Sequence, residues 1–409
     1  MRILKTFVLL LTAVFISCGS GKTAQLWTDK PEFALYGEYF NSIQTKHKVT
    51  IRYMEFPAES LTRQNTPDLI VASWLKNSST TSIFKSLDNL FGTKKLPRNI
   101  FYSRLLVYGR IDRNQYLLPV SFNVPALVFS RDRLNNLSSQ FTVDFDEIKR
   151  LSKGYNIVSN DVYTRMGFSP LWYDDFLLTT SALSGASFRE ADPISWDSAA
   201  LERSMIFINN WNNEINSGTQ QVDDFYFKYF FEPPERLIRN GRILFSYMES
   251  DELFLLREES KANIDFRWLM EQNRIPVTED MVYMGIPKRA KSSAAARAFI
   301  MWFFNIETQR TLLEYSRANR IDENVFGICG GFSALTNVTE QVYPLFYPEL
   351  LGRMPPSEHF TLPNILPANW VTLKNRVVLP FLHDRARKER ADEAYPLERR
   401  LTDWMRLNR

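Results

Sequence analysis

Residues 25–43 have the sequence QLWTDKPEFALYGEYFNSI, and KVTIRY at 48–53 and DLIVA at 68–72 follow. After a short apolar run, bulky apolar residues recur at helical spacing from Phe33 to Phe40. KVTIRY alternates as a half-buried strand does, and DLIVA is a continuous apolar run typical of a buried parallel strand. A strand, a helix and two further strands at this spacing predict an α/β lobe.

The α/β pattern continues along the rest of the chain. Residues 116–130 are expected to be extended, because Pro119 and Pro125 disfavour helical backbone in the residue before them. The other predicted elements are helices at 144–153, 169–183, 198–213 and 293–317, a strand at 242–248, and an amphipathic C-terminal stretch at 379–407.

Composition narrows the class of protein. The chain has 409 residues, of which 44% are hydrophobic and 23% charged, so wholesale disorder is excluded and two or three domains, or one large one, are expected. Lys+Arg (50) and Asp+Glu (46) are interspersed along the sequence, which argues against a nucleic-acid partner. Two Cys and three His nearly exclude a zinc cluster and a disulfide scaffold, and no cofactor is expected.

The N-terminus predicts export. Arg2 and Lys5 precede the apolar run 7–16, which is too short to span a membrane and is typical of a secretory signal peptide. FISCG at 15–19 resembles a bacterial lipobox, which implies a signal peptide at 1–17, lipidation of Cys18 and a tether at 18–24. We therefore expect a protein anchored to the cell membrane by acyl chains and facing the periplasm or the exterior. An ordinary signal peptide cut nearby is the alternative.

A glycine-rich motif overlaps this region but does not predict nucleotide binding. GSGKT at 19–23 matches the end of a P-loop, whose first glycine would fall at position 16. That position is Ile16, and no amphipathic helix follows. A short tether after the anchor explains the glycines.

Several stretches in the same order resemble the extracellular solute-binding proteins of ABC importers, most closely the sugar-binding branch that includes maltose-binding proteins. They cover most of residues 25–320. The stretches are WTDKPEF at 27–33, PDLIV at 67–71, LDNL at 87–90, LPVSFN at 118–123, LVFSRD at 127–132, NGRILF at 240–245 and AARAFI at 295–300.

The resemblance implies an α/β, two-lobe periplasmic-binding-protein fold with hinge crossovers and a cleft between the lobes. The N-lobe would comprise 25–120 plus 265–320, and the C-lobe 125–255 plus 325–409. The region after Gly352 departs from the commonest family length. The implied function is a monomeric, non-enzymatic receptor that captures a sugar or oligosaccharide by hinge closure and delivers it to the permease subunits of an ABC transporter.

Candidate ligand residues follow from the rule that ligands of open α/β sheets bind beyond the carboxyl ends of strands. A sugar site needs aromatic faces together with polar groups at its edges. Many of the aromatic residues must belong to the core, Asp29 and Asp175 could be helix caps, and Glu249 and Asp251 could be surface charges. The candidates are Trp27, Asp29, Glu32, Ser73, Trp74, Ser121, Asn123, Phe168, Trp172, Asp175, Tyr247, Glu249, Ser250, Tyr283 and Gly285.

Two other functions remain open on the sequence alone. A secreted glycoside hydrolase would need two carboxylates across a cleft, for which Asp174/Asp175 and Glu249/Asp251 are the candidates. A surface lipoprotein with an adhesion or signalling role could use the same fold, because fold does not fix function. Peptide, polyamine and phosphorylated ligands are also not excluded.

Overall fold

The first described strand begins just inside the predicted tether. The predicted signal peptide (1–17) and Cys18 lie outside the described residues. The predicted tether (18–24) overlaps the strand, in which Thr23 and Ala24 already pair with the next strand of the sheet. The computed structural model describes residues 23–92, 95–134 and 137–407.

The first lobe is built on a six-stranded sheet. Its first three strands in the chain are parallel, as DLIVA and its neighbours predict, and three further strands, each antiparallel to the strand before it, complete one side. Helices Phe33–Ile43 and Ser293–Phe303 bury their aromatic faces against each other, and the Phe33 and Phe303 rings stack at 5.7 Å. In spatial order the strands are Phe332–Ser333, Leu117–Phe122, Val282–Gly285, Leu69–Ala72, Thr23–Thr28 and Lys48–Tyr53.

The second lobe is built on a four-stranded sheet. Its strands are, in spatial order, Phe245–Glu249, Pro125–Ser130, Ile264–Leu269 and Thr142–Val143. The predicted boundary at 265 is wrong for the first residues after it, because Ile264–Leu269 pairs with Pro125–Ser130 in this sheet rather than with the first lobe. The chain crosses only after Leu269.

Two segments therefore connect the two sheets. The first is residues 123–124, which join two consecutive strands without a turn. The second is 270–281, which leads from the second sheet to Val282–Gly285. Later in the chain, Phe332–Ser333 pairs with the first sheet, so the predicted assignment of 325–409 to the second lobe does not hold at its start.

The region after Gly352 returns to the second lobe and to the space between the lobes. Phe360–Thr361 pairs in parallel with Ile275–Pro276 of the second crossover. Helix Leu379–Arg385 packs on helix Asp174–Leu183, and the buried Arg385 pairs with Glu202. A second helix, Leu397–Leu407, begins directly after Pro396, so the amphipathic stretch is two helices rather than one.

The remaining elements surround the two sheets. The predicted helix 293–317 is likewise divided, since Asn305 caps a new helix by accepting a hydrogen bond from the Thr308 N–H at 3.1 Å. None of the helices in the described part of the chain is long and apolar enough to cross a membrane. The other helices of four residues or more are Pro57–Ser60, Ser78–Thr81, Ser103–Tyr108, Phe145–Tyr155, Ser198–Asn216, Thr219–Tyr229, Pro234–Arg239, Ser250–Leu255, Glu258–Lys261, Ile306–Ala318, Val338–Val342, Tyr343–Phe346, Trp370–Leu373 and Lys374–Val378. Short hairpins pair Arg110–Ile111 with Asn114–Gln115 and Ile157–Ser159 with Val162–Arg165.

Candidate functional site

Polar side chains at the first crossover tie the lobes together. The Asn123 side chain accepts a hydrogen bond from Ser250 Oγ at 2.6 Å and donates one to the Gly330 carbonyl at 2.8 Å. Ser121 Oγ donates to the Cys329 carbonyl at 3.1 Å. All three predicted candidates are buried, and their hydrogen bonds are made within the protein. The structure therefore brings Ser121, Asn123 and Ser250 together as a joint at the base of the cleft.

Acidic side chains from both lobes and the second crossover gather in the cleft. The charge of Asp280, on the crossover, acts on Asp29 of the first lobe and on Glu249 and Asp251 of the second. Asp29 follows a strand, Asp175 lies in the first turn of a helix, and Glu249 ends a strand, as ligand residues of α/β sheets do. We call the set the cleft carboxylates: Asp29, Asp175, Glu249, Asp251, Glu279 and Asp280.

Burial and mutual repulsion shift the titration of these groups. Burial raises the pKa of Glu249 well above its usual range, and the charges of Asp280 and Glu279 raise it further. Burial, followed by Asp280, raises the pKa of Asp251 to about 6. Burial also raises the pKa of Asp29, although the Lys30 ammonium opposes that effect. Such shifts are common where a site is built to bind a polar ligand.

A lysine from the C-terminal region neutralises one side of this set. Lys374 Nζ lies 2.7 Å from Glu279 Oε1 and 3.4 Å from Asp175 Oδ1. Burial would lower the pKa of Lys374 and raise that of Glu279, but their attraction outweighs burial and shifts both in the opposite direction. Trp370 Nε1 also donates to Glu279 Oε1 at 3.4 Å. The region after Gly352, whose role the sequence left open, thus supplies part of the cleft.

Trp74 has a strained backbone conformation that its surroundings hold in place. Its φ is +54°, in the left-handed region that bulky residues rarely occupy, and Asn77 holds its carbonyl with a 2.9 Å hydrogen bond. The half-buried indole lines a small cavity with Glu279 and Tyr283, and its Nε1 is buried without a partner. The preceding Ser73 donates to the backbone carbonyl of Asp280. An aromatic face and a free N–H donor therefore lie beside the cleft carboxylates.

A second, mostly apolar cavity of about 90 Å³ adjoins the same carboxylate of Glu279. Helix Asp174–Leu183 forms one wall, residues 361–366 form another, and Trp370 lies at its edge. Apolar walls with a few polar groups at the rim match what a sugar ring presents, which is C–H faces surrounded by hydroxyls.

Other predicted candidates are packed away from any ligand surface. Trp27 is 1% exposed, with its indole N–H bonded to Gln25 Oε1 at 2.9 Å. Phe168 is fully buried, and Trp172 stacks on Phe225 at 5.7 Å within the aromatic core of the second lobe. These rings have both faces covered, so burial leaves them no area for a solute.

Four further candidates are buried, and three of them are engaged within the protein. The Tyr247 hydroxyl bonds to Thr179 Oγ1 at 3.0 Å, and the Tyr283 hydroxyl donates to the Leu105 carbonyl at 2.9 Å. Gly285 is a packing residue, since an added Cβ would lie 2.7 Å from a methyl carbon of Leu117. The fourth is Glu32, which is 3% exposed and keeps its Oε1 without a hydrogen-bond partner.

Sequence reasoning missed several members of the site. Glu279 and Asp280 form a polar pair just before the apolar strand Val282–Gly285. Because this strand runs antiparallel to Leu69–Ala72, its amino end lies at the carboxyl end of that strand, where ligands bind. Lys30 adjoins a predicted candidate and lies 3.9 Å from Asp29 Oδ2. Lys374 gave no signal, because nothing in its local sequence indicates that its helix returns to the cleft. No group of His, Cys, Asp or Glu that could hold a metal ion occurs among the described residues.

Comparison with known proteins supports the fold. No family model and no curated sequence matches the chain. Its structure is similar to an ABC substrate-binding protein from Listeria monocytogenes in complex with cycloalternan, with a TM-score of 0.60 at 14% identity, covering 94% of this chain and 98% of that one. The chain has the fold of ABC sugar-binding proteins. The predicted α/β two-lobe architecture is confirmed.

Two further structures agree over nearly their whole lengths. The cyclic α-maltosyl-1,6-maltose binding protein from Arthrobacter globiformis has a TM-score of 0.60 at 13% identity, with 93% of this chain and 96% of that chain covered. The maltose/maltodextrin-binding domain from Bdellovibrio bacteriovorus bound to maltotriose has a TM-score of 0.56 at 13% identity, with 95% and 100% covered. All three are binding proteins by description.

Proposed function

We propose that the chain is a binding receptor that captures a carbohydrate between its lobes and delivers it to the permease of an ABC importer. The observation that carries the proposal is that Trp74 lines a cavity with Glu279, and that the neighbouring Asp280 acts on carboxylates of both lobes. Structural neighbours described as oligosaccharide-binding proteins support the same solute class.

The mechanism is hinge closure. Residues 123–124 and 270–281 connect the lobes, and changes in their backbone angles bring the two faces of the cleft together around the solute. Asp280 lies on one of these connections and interacts with both lobes, so ligand contact there is coupled to closure. Closure presents a new surface to the permease, and no bond of the solute is broken.

The same proposal includes export and lipid anchoring through Cys18. Replacing Cys18 with Ser should abolish incorporation of labelled palmitate and release the protein from the membrane fraction. Incorporation that persists in Cys18→Ser would contradict this part of the proposal and leave the binding function untouched.

A thermal-shift screen of the chain lacking residues 1–18 tests the binding function. The protein is first unfolded and refolded to remove captured solute, then mixed with neutral saccharides, amino saccharides, amino acids, peptides and polyamines. A ligand at 100 times its Kd should stabilise the fold by about 2.7 kcal/mol and raise the melting temperature by several degrees. Absence of any shift in the folded protein would favour an adhesion or signalling role.

Two variants test whether the saccharide binds beside Trp74. Trp74→Ala should weaken saccharide binding, whereas Phe227→Ala, at a side chain 90% exposed on the second lobe, should leave it unchanged. The bound saccharide should also be recovered intact after hours of incubation. If the wild type cleaves the saccharide and Glu249→Gln does not, the protein is a glycoside hydrolase and the receptor proposal is wrong.

A further inference from the structure

Residues 360–366, which we call the strap, connect the second crossover with an edge of the cleft. At one end of the strap, Phe360–Thr361 pairs in parallel with Ile275–Pro276 of the crossover. Near the other end, the carbonyl of the exposed Ile365 accepts a hydrogen bond from the Glu190 N–H of the second lobe at 2.7 Å. The strap therefore runs from the hinge region to the outside of the cleft.

The first lobe also binds the strap. Arg104, in helix Ser103–Tyr108, donates to the Phe360 carbonyl, and the Tyr108 hydroxyl donates to the Asn364 carbonyl at 3.2 Å. These bonds use backbone carbonyls of the strap, so its path does not depend on the identity of its side chains. Because both lobes and the crossover hold the same short segment, the strap lies across one end of the space between the lobes.

The two lobes meet directly beside the strap. The Glu190 carboxylate accepts hydrogen bonds from the Ser78 N–H and from Ser78 Oγ, both at 2.8 Å. Ser78 begins a short helix of the first lobe, whereas Glu190 lies in the loop before helix Ser198–Asn216 of the second lobe. Since the N–H of the same Glu190 binds Ile365, this contact and the strap close the same end of the cleft.

The strap turns the side chain of Leu366 into the cleft. Leu366 is 4% exposed and lines both the cavity of about 90 Å³ beside helix Asp174–Leu183 and the smaller cavity beside Trp74. Glu279 lines both cavities as well. An apolar cavity of about 150 Å³ holds one benzene molecule. A cavity of about 90 Å³ therefore admits part of one sugar ring and leaves no space for a second ring beyond it.

Resting on the proposed carbohydrate receptor, we propose that the strap is an end wall of the cleft and that the receptor recognises a terminal ring of its saccharide. The ring lies against Leu366, which covers its C–H face, and the Glu279 carboxylate accepts hydrogen bonds from its hydroxyls. The rest of the saccharide extends away from the strap. A group added to the recognised end meets a segment that both lobes hold, so such a saccharide is rejected by steric clash.

The test compares saccharides whose two ends are blocked separately. Glucose, mannose and galactose, with maltotriose, cellotriose and mannotriose, are titrated by calorimetry as free sugars, as methyl glycosides and as methyl ethers of the terminal hydroxyl at the opposite end. For the saccharide that binds, one methyl group should be tolerated and the other should weaken binding at least tenfold, because a close-packed wall cannot take up an added carbon without being displaced.

Variants of Leu366 locate the wall. Leu366→Ala removes the side chain that faces the solute and should reduce the discrimination between the two blocked forms to about threefold or less. Leu366→Val removes a single carbon and should give an intermediate value, so it tests the wall even if the alanine variant does not fold. Leu351→Ala is the control, because it truncates the same residue type shortly before the strap, at a side chain 74% exposed. It should keep the full discrimination.

Each other result contradicts a defined part. Equal effects of the two methyl groups, whether both are tolerated or both weaken binding, would show that the strap is not an end wall and would leave the carbohydrate receptor standing. Discrimination that Leu366→Ala and Leu366→Val both retain in full would place the wall elsewhere and overturn the proposal in the same way. Binding of none of the saccharides of the screen, when a peptide, an amino acid or a polyamine binds, would overturn both proposals.

Discussion

Trp74 and Trp172 are two tryptophans that the sequence alone treats alike, and the structure places them in opposite surroundings. Trp172 is 8% exposed and stacks on Phe225 in the aromatic core of the second lobe. Trp74 is half-buried, has a left-handed backbone and lines a cavity with a carboxylate. Both indole N–H groups lack a partner. The comparison teaches that backbone strain and polar neighbours, rather than an unpartnered N–H, distinguish a cleft aromatic from a core aromatic.

Removing each of the two rings tests this comparison with the largest expected effect. Trp172→Ala removes a ring enclosed by other aromatics and should lower the free energy of unfolding by about 3–5 kcal/mol. Trp74→Ala removes a half-buried ring and should cost less than about 2 kcal/mol while weakening solute binding. Equilibrium urea denaturation measures both. Equal losses of stability would show that Trp74 is a core residue.

Lys374 tests whether the C-terminal region contributes to the cleft or only covers it. Lys374→Met leaves Glu279 and Asp175 without their ammonium, and about 2 kcal/mol of stability should be lost because the pair is partly buried. The double variant Lys374→Met, Glu279→Gln should recover a large part of that loss. Denaturation of the single and double variants forms the cycle, and additive losses would mean that the two groups do not interact.

The fold was predictable because its signals are local. The apolar run at 68–72 and the helical spacing at 33–40 each indicate, within a few residues, which side chains are buried. They correspond to a strand and a helix of the first lobe. The first crossover was visible for the same reason, since Pro119 and Pro125 force an extended chain. The order of these elements along the chain then limits the topology to few possibilities.

The position of a candidate site residue was predictable only where the end of a strand determines it. Asp29 and Trp74 follow strands and Glu249 ends one, and the structure places them around the cleft. Trp27 also occupies a strand, but which face of that strand is covered depends on helices far along the chain. Lys374 reaches the cleft by tertiary packing of the last segment, which no local pattern encodes.

The pH dependence of stability distinguishes Asp251, in the cleft, from a core residue such as Trp172. Its pKa of about 6 is raised by burial and by Asp280, above the value near 4 of the unfolded chain. The neutral form is therefore favoured in the folded state, so its contribution to stability is complete below pH 4 and is lost as the pH rises through 6. Lowering the pH from 7 to 5 should increase stability by about 1 kcal/mol more in the wild type than in Asp251→Asn.

Paired thermal melts at several pH values measure that difference and cancel titrations common to both proteins. Glu249, Glu252 and Asp280 also act on Asp251, so the variant should alter but not abolish the pH dependence of the cleft. Wild type and Asp251→Asn with parallel pH profiles would show that this carboxyl titrates normally. Trp172→Ala should shift the whole profile without changing its shape, because no titratable group is removed from the core.

The smallest expected effect concerns the backbone of Trp74 itself. At a φ of +54° a side chain with a Cβ is strained by about 1 kcal/mol relative to glycine, and tryptophan tolerates this only because its surroundings fix it there. Trp74→Gly and Trp74→Ala both remove the ring, but only the glycine variant also removes the strain. The glycine variant should therefore be more stable than the alanine variant by about 1 kcal/mol, although both bind the solute weakly. At Trp172, which is not among the described residues of positive φ, glycine should instead be no more stable than alanine. An alanine variant at position 74 as stable as the glycine variant would mean that the backbone relaxes once the ring is gone, so that the ring itself imposes the left-handed conformation.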